Sequence, residues 1–252
     1  MDKMEYKYLV STDMVGLIRD EMKPYVYFDQ YAKNMPDKQY TVRSVYYDTR
    51  NFDCYDEKIE GLREKRKFRI RGYNTPQHDS MVYLEIKKKN GDFTEKARAP
   101  FKWHQVLALF SPGAPGPRSV FIDNDGEEGK NAQRFLFNYY RKRLLPTVLI
   151  VYEREAFCGR FNRSLRITFD KNVRSSLYPA LDMLYMAGNF KFAMPRHFIL
   201  ELKFYRGLPQ WAHSIITRYK LQKLSISKYT ICIDSQPAIR KFTQCLAHIP
   251  AW

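Results

Sequence analysis

The sequence predicts an α+β protein, a sheet of short strands with helices laid against it. Three observations predict this class. Apolar and polar residues alternate with period two through many short segments rich in β-branched and aromatic residues, the pattern of strands. Helix-length segments lie between those runs. Hydrophobic residues make up 44% and aromatics 15% of the 252 residues, enough to build a full core.

In chain order, a strand is expected over 3–10, where Lys3, Glu5 and Lys7 share a face. A helix over 12–23 follows Ser11, Thr12 and Asp13, residues suited to an N-cap. Strands then fit 41–49, 55–60, 64–73, 81–89 and 93–99, and a helix fits 101–110. The segment 111–129, rich in Pro, Gly and acid, reads as a loop that divides the strands into two sets. A helix over 130–144, strands over 147–157, 164–170 and 197–205, and helices over 209–221 and 236–247 complete the reading. Neither an internal repeat nor a linker divides the chain, so one domain over 1–252 is expected.

The charge on the strands is unusual. Lys65, Lys67, Arg69 and Arg71 alternate with Phe68 and Ile70; Tyr83, Glu85, Lys87 and Lys89 oppose Leu84, Ile86 and Lys88. Glu201 and Lys203 oppose Leu200, Leu202 and Phe204, while Arg166, Thr168 and Asp170 oppose Leu165, Ile167 and Phe169. Two arrangements satisfy this pattern. The charged faces look at solvent, or the sheet closes into a barrel with a polar interior under covering helices. Lysines and arginines clustered with a lone glutamate, strand after strand, suit a polyanion carrying a divalent cation. A one-residue slip would move Lys65 and Lys88 to the other face.

Forty-three Lys+Arg against 27 Asp+Glu give a formal charge of +16, which points to an anionic partner. Cys54, Cys158, Cys232 and Cys245 form no CxxC pair, and the histidines are dispersed, so neither a disulfide framework nor a zinc site is indicated. The opening MDKMEYKYLVSTD lacks a signal-peptide core, and no segment approaches the ~20 apolar residues that cross a bilayer. A cytoplasmic protein is expected. No GxxxxGK[ST] loop occurs, so a P-loop mechanism has no support. A nucleic-acid binder would need an exposed basic stripe with stacking aromatics, which is not expected here. Trp103, Trp211 and Trp252 are expected to pack.

Eight fragments in order resemble the VTC domain, the polyphosphate-polymerase module of the triphosphate-tunnel (CYTH-like) superfamily. They are EYKYLVS (5–11), SVYYDT (44–49), EKIEGLREKRKFRIRGY (57–73), VYLEIKKK (82–89), YEREAF (152–157), LRITFD (165–170), ILELKF (199–204) and SISKYTICID (225–234). The resemblance implies a closed antiparallel β-barrel, a tunnel with a polar basic interior. It implies that Lys7, Lys58, Arg69, Arg71, Lys87, Lys96, Arg154, Arg166 and Lys228 hold phosphates, with Arg69, Arg71, Lys87, Arg154 and Arg166 nearest the chemistry. Glu201 would bind manganese or magnesium, and the YYDT aromatics would support the barrel; Glu5 and Glu85 are second carboxylates or, the preferred reading, internal counter-charges that neutralise so basic a lumen. The implied activity is transfer of the ATP γ-phosphate to polyphosphate. A metal-dependent triphosphatase and a non-catalytic polyphosphate-binding module are the alternatives. ATP and polyphosphate are the implied partners. In the fungal family the polymerase works beside a membrane channel, so the resemblance allows a separate membrane partner. One departure stands out: Ser225 occupies a position where the family often has lysine, with Lys223 two residues earlier.

Overall fold

Alternating side chains need a partner strand to satisfy the backbone between them, and here the alternating segments become antiparallel ladders. The computed structural model describes residues 4–237 apart from 77–78, 92, 112–125, 187 and 206. The expected helix over 236–247 lies almost wholly outside those residues, as do most of the 111–129 loop, Lys3 and Trp252.

The chain forms two compact units, each assembled from separated stretches. The first comprises the described residues up to Thr41, Val151–Arg174 and Phe192–Lys228. In it β1 (Met4–Ser11) pairs with β10 (His197–Phe204), which pairs with β8 (Arg166–Leu177). The short β2 (Val26–Phe28) pairs with the end of β7 (Leu145–Gly159). One face of these ladders carries Tyr8, Ile167, Phe169, Leu200, Leu202 and Phe204, all buried. Helices α1 (Val15–Met22) and α6 (Gln210–Arg218) cover it through Ile18, Met22, Ala212 and Ile215. Between them α2 (Gln30–Lys33) is a single turn capped by Asp29.

The second unit comprises Val42–Ile150, Ser175–Lys191 and the described residues from Tyr229. Its ladders join β3 (Tyr40–Asp48), β4 (Glu64–Tyr73), β5 (Met81–Asn90) and β6 (Phe93–Lys102) in that order. Helix α4 (Trp103–Leu109) and helix α5 (Glu127–Arg141) pack on β5 and β6; Phe135 meets Phe68 edge-on, and Val106, Leu136, Ile70 and Leu84 are buried. At Gly72 in β4, an added Cβ would lie 2.2 Å from the Tyr185 hydroxyl, so a larger residue would force that ring away. Strands β7 and β8 contribute residues to both units. A two-residue β9 (Lys191–Phe192) pairs with β8. The ladders run from β1 at one end to β6 at the other, and among the described residues none joins those two strands.

One expectation is corrected. The segment expected as a strand over 55–60 is α3 (Asp53–Ile59), a helix. Asp48 explains it: its carboxylate accepts from the backbone N–H groups of Cys54 (2.9 Å) and Tyr55 (3.0 Å), two of the donors a helix start leaves open. Thr49 Oγ1 accepts from Asp53 N at 3.1 Å. A second helix, α7 (Lys228–Asp234), forms where no element was expected, burying Tyr229, Cys232 and Ile233. Trp103 and Trp211 pack as expected, against Tyr185 and Tyr25 respectively.

Candidate functional site

Residues opposite each other in a ladder share a face, so register converts the charged alternation into rows. Each unit has its own charged face.

In the second unit, Ser44, Arg71, Tyr83 and Pro100 form one row. Tyr46, Arg69, Glu85 and Arg98 form the next, and Lys67, Lys87 and Lys96 the one after. Lys65 falls on this face opposite Lys89, whereas Lys88 falls on the other, opposite Arg66 and Glu95. Glu85 is the hub. It is 1% exposed and lies 2.6 Å from Arg69, 2.7 Å from Lys96, 3.3 Å from Arg98 and 4.0 Å from Arg71. Burial alone would raise its carboxyl pKa, but Arg69, Arg71 and Lys96 hold it far below the usual range. Burial pushes the Lys96 ammonium down to about 8, against the pull of Glu85. Neutral side chains fix the guanidiniums. Arg69 donates to Tyr46 OH (2.8 Å), Arg71 donates to Ser44 Oγ (3.0 Å), and Arg98 stacks 3.4 Å over the Tyr83 ring.

The first unit has a more balanced charged face. Lys7, Glu201 and Thr168 form one row; Glu5, Lys203 and Arg166 form the next. Glu201, 5% exposed, is ion-paired with Lys203 and lies 3.7 Å from Lys7. Lys7 also lies 2.6 Å from Glu5 and donates to Ile226 O. Nearby, the fully buried Asp170 takes a two-pronged contact from Arg154, at 2.6 and 2.7 Å, and an ion pair from Lys228. Both cations lie against the Tyr152 ring. Burial pushes both carboxyls up; Lys203 and Lys7 hold Glu201 well below its ordinary value, and Arg154 and Lys228 hold Asp170 below its own. Lys228 is shifted up, because Asp170 outweighs its burial.

The sequence-expected residues therefore divide. Arg69, Arg71, Lys87 and Lys96 share one face; Lys7, Arg154, Lys228 and Glu201 gather around the two carboxylates of the other unit. Arg166 is on the Lys203 row, but its guanidinium engages Asp29 at 2.7 Å. Lys58 lies in the last turn of α3, off the strand rows. Lys223 does not stand in for the lysine missing at 225: its ammonium is 3.8 Å from the Tyr6 ring, and Tyr6 alternates with Lys7. Arg98 and Asp170 were not among the expected site residues. Arg98 was legible as the i+2 partner of Lys96; the role of Asp170 depends on Arg154 and Lys228, which are remote in sequence.

The Thr168 hydroxyl is buried in the Lys7–Glu201 row and has no hydrogen-bond partner among the described residues. It leaves one unsatisfied polar atom beside a carboxylate. No group of three His, Cys, Asp or Glu side chains placed to hold a metal occurs among the described residues. A hard divalent cation bound mainly by phosphate oxygens needs only one or two protein carboxylates; Glu201 offers one, already ion-paired with Lys203.

The VTC domain family model matches residues 2–236. No curated protein sequence matches the chain. Among solved structures, the chain is similar to a putative adenylyl cyclase, HpAC1 from Hippeastrum, described as having a dominant triphosphatase activity. The identity is 13% and the TM-score 0.44, over 94% of this chain and 97% of that one. It is also similar to a chain in the Schizosaccharomyces pombe Mediator head module, at 8% identity and TM-score 0.40, covering 100% and 97%. At such scores neither likeness adds to what the ladders establish. No helix among the described residues is long and apolar enough to cross a membrane.

Proposed function

Because the chain belongs to the VTC domain family, we propose that it is a polyphosphate polymerase, transferring the γ-phosphoryl group of ATP to the end of a polyphosphate chain. The family ties it to polyphosphate and triphosphate chemistry. The observation that carries the narrower reading is the convergence of Arg69, Arg71, Lys96 and Arg98 on one buried carboxylate. Arg69 and Arg71 are largely buried and all four cations are already oriented toward one carboxylate. A phosphate chain entering that face supplies several oxygens where Glu85 supplies two.

In the proposed reaction a terminal oxygen of the acceptor attacks the γ-phosphorus, and the bond to the β-bridging oxygen breaks. ADP leaves with that electron pair. Nothing covalent forms on the protein, so catalysis is alignment and charge stabilisation. In the second unit Arg69 and Arg71 grip phosphate oxygens in forked contacts, Lys87 stabilises the transferring group, and Lys96 holds a neighbouring phosphate. On the first unit's own charged face, Arg154 and Arg166 are proposed as catalytic cations, with Lys7 and Lys228 as phosphate-binding ones. Lys58, in the last turn of α3, is assigned a phosphate as well. Mg²⁺ or Mn²⁺ carried on the phosphates and held by Glu201 would neutralise charge there. The proposal includes closure of the sheet into a single-domain triphosphate tunnel, and a location in the cytoplasm, where ATP is plentiful.

A second reading, a triphosphatase, draws on the Thr168 hydroxyl. An unsatisfied buried hydroxyl beside Glu201 suits the binding of a water where the acceptor phosphate would otherwise sit.

The test is incubation with ATP and Mn²⁺, with and without a short polyphosphate primer, followed by a polyphosphate-stained gel and assay of ADP and free phosphate. Polymer with matching ADP supports the polymerase. Free phosphate without polymer supports the triphosphatase, and binding with neither product leaves a binding module. Arg71→Ala should lower kcat roughly 10²- to 10³-fold, the usual effect of losing one preorganised donor. Glu201→Gln should raise the divalent cation concentration needed for half-maximal turnover. If both variants bind and turn over like the parent, the site assignment is wrong.

A further inference from the structure

The connection between β7 and β8, residues 160–165, uses none of the charged-face residues. Yet it is built with care. Gly159 N donates to Leu165 O (3.1 Å), Leu165 N donates to Asn162 O (3.0 Å), and Asn162 Oδ1 accepts from both the backbone and the hydroxyl of Ser164 (3.0 and 2.6 Å). Arg160 N donates to Tyr25 O at 2.8 Å, tying the loop to a ring stacked flat on Trp211. A Cβ at Gly159 would lie 2.5 Å from Asn162 O, so only glycine permits this tight closure.

What this rigid loop holds outward is Phe161, 86% exposed. Arg160 and Arg163 flank it, both exposed, and neither forms an ion pair among the described residues. The stretch Gly159–Leu165 contains no acidic residue. Tyr27, 46% exposed, projects from the neighbouring β2 opposite Cys158. At 86% exposure Phe161 contributes nothing to the core.

We infer that this tip is a docking element for an anionic lipid bilayer. Its shape favours a bilayer over a protein partner. A single convex side chain offers no groove to receive a peptide, whereas a bilayer interface yields around an aromatic wedge. Its charge agrees: two unpaired arginines beside the wedge match lipid phosphates, each contributing on the order of 1 kcal/mol near an anionic surface. One aromatic and two cations give weak, reversible attachment, suited to a protein that visits a membrane.

The experiment is co-sedimentation of the whole chain at physiological salt with vesicles of phosphatidylcholine alone, or of phosphatidylcholine with phosphatidylserine. Binding should appear on the mixed vesicles. The Arg160→Ala/Arg163→Ala double variant should partition roughly thirty-fold less, the fold-change for about 2 kcal/mol. Phe161→Ser should partition roughly tenfold less. A double variant of equal charge loss on α5, Lys130→Ala/Arg141→Ala, should stay within about twofold of the parent, because neither cation belongs to the tip. Polyphosphate binding, unchanged in all three, serves as the check on folding. Equal losses in loop and helix variants would mean diffuse attraction by a basic protein, and would overturn the inference. So would a parent that ignores both vesicles.

Discussion

Glu85→Gln keeps the shape of the hub and removes its charge, leaving Arg69, Arg71, Lys96 and Arg98 crowded around a neutral amide. Breaking a buried ion cluster from one side costs about 3–5 kcal/mol. The variant should unfold at markedly lower urea concentration, and tripolyphosphate should restore more of its stability than it adds to the parent. A variant as stable as the parent would mean that solvent already screens the four cations. Lys96 gives a second expectation. With its pKa lowered to about 8, it loses its charge as pH rises through that value, well before an ordinary lysine does. Polyphosphate affinity should therefore fall between about pH 7 and pH 9, and Lys96→Arg should flatten the fall, as titration calorimetry at several pH values would reveal. Glu85, Glu201 and Asp170 act in the opposite sense. Their folded pKa values are depressed, so the stability they confer is complete above the unfolded carboxylate range near 4. It drains away as pH falls below that range, because the unfolded chain takes up protons first.

Strands announced themselves through alternation, and the side on which each charge falls was legible wherever a strand is long: Arg69 with Arg71 on β4, Glu85 with Lys87 on β5, Glu201 with Lys203 on β10. Helix α3 was not legible. Its apolar residues are few, Tyr55 and Ile59 standing four apart, and the carboxylate that starts the helix comes from Asp48, at the end of another element. The same carboxylate accepts from the Tyr229 hydroxyl at 2.5 Å, linking β3, α3 and α7 through one buried charge. Such a link has no periodicity for a sequence to display. Lys223 was ambiguous for a related reason, since a cation-π contact with Tyr6 decides where it turns. At this scale the check is Tyr229→Phe. Losing one hydroxyl donor to a buried carboxylate should cost roughly 1.5–3 kcal/mol, read from the shift in urea midpoint. No shift would mean that the backbone N–H groups of Cys54 and Tyr55 suffice to hold Asp48.

At the scale of the whole chain, both units draw on β7 and β8, so neither can lose its ladders without damaging the other's strands. Calorimetry should accordingly find one transition, with the calorimetric enthalpy equal to the van't Hoff value; two resolved peaks would contradict that. The pairing of β1 with β10 has a further consequence, one of timing. Strand β1 leaves the ribosome well before its ladder partner, which lies among residues 197–204. At ordinary elongation rates that is a wait of roughly 10–40 s. Throughout that interval Tyr6, Tyr8 and Val10 are a sticky, unmatched edge. A nascent chain stalled before β10 should bind chaperones through β1, and release them once β10 emerges.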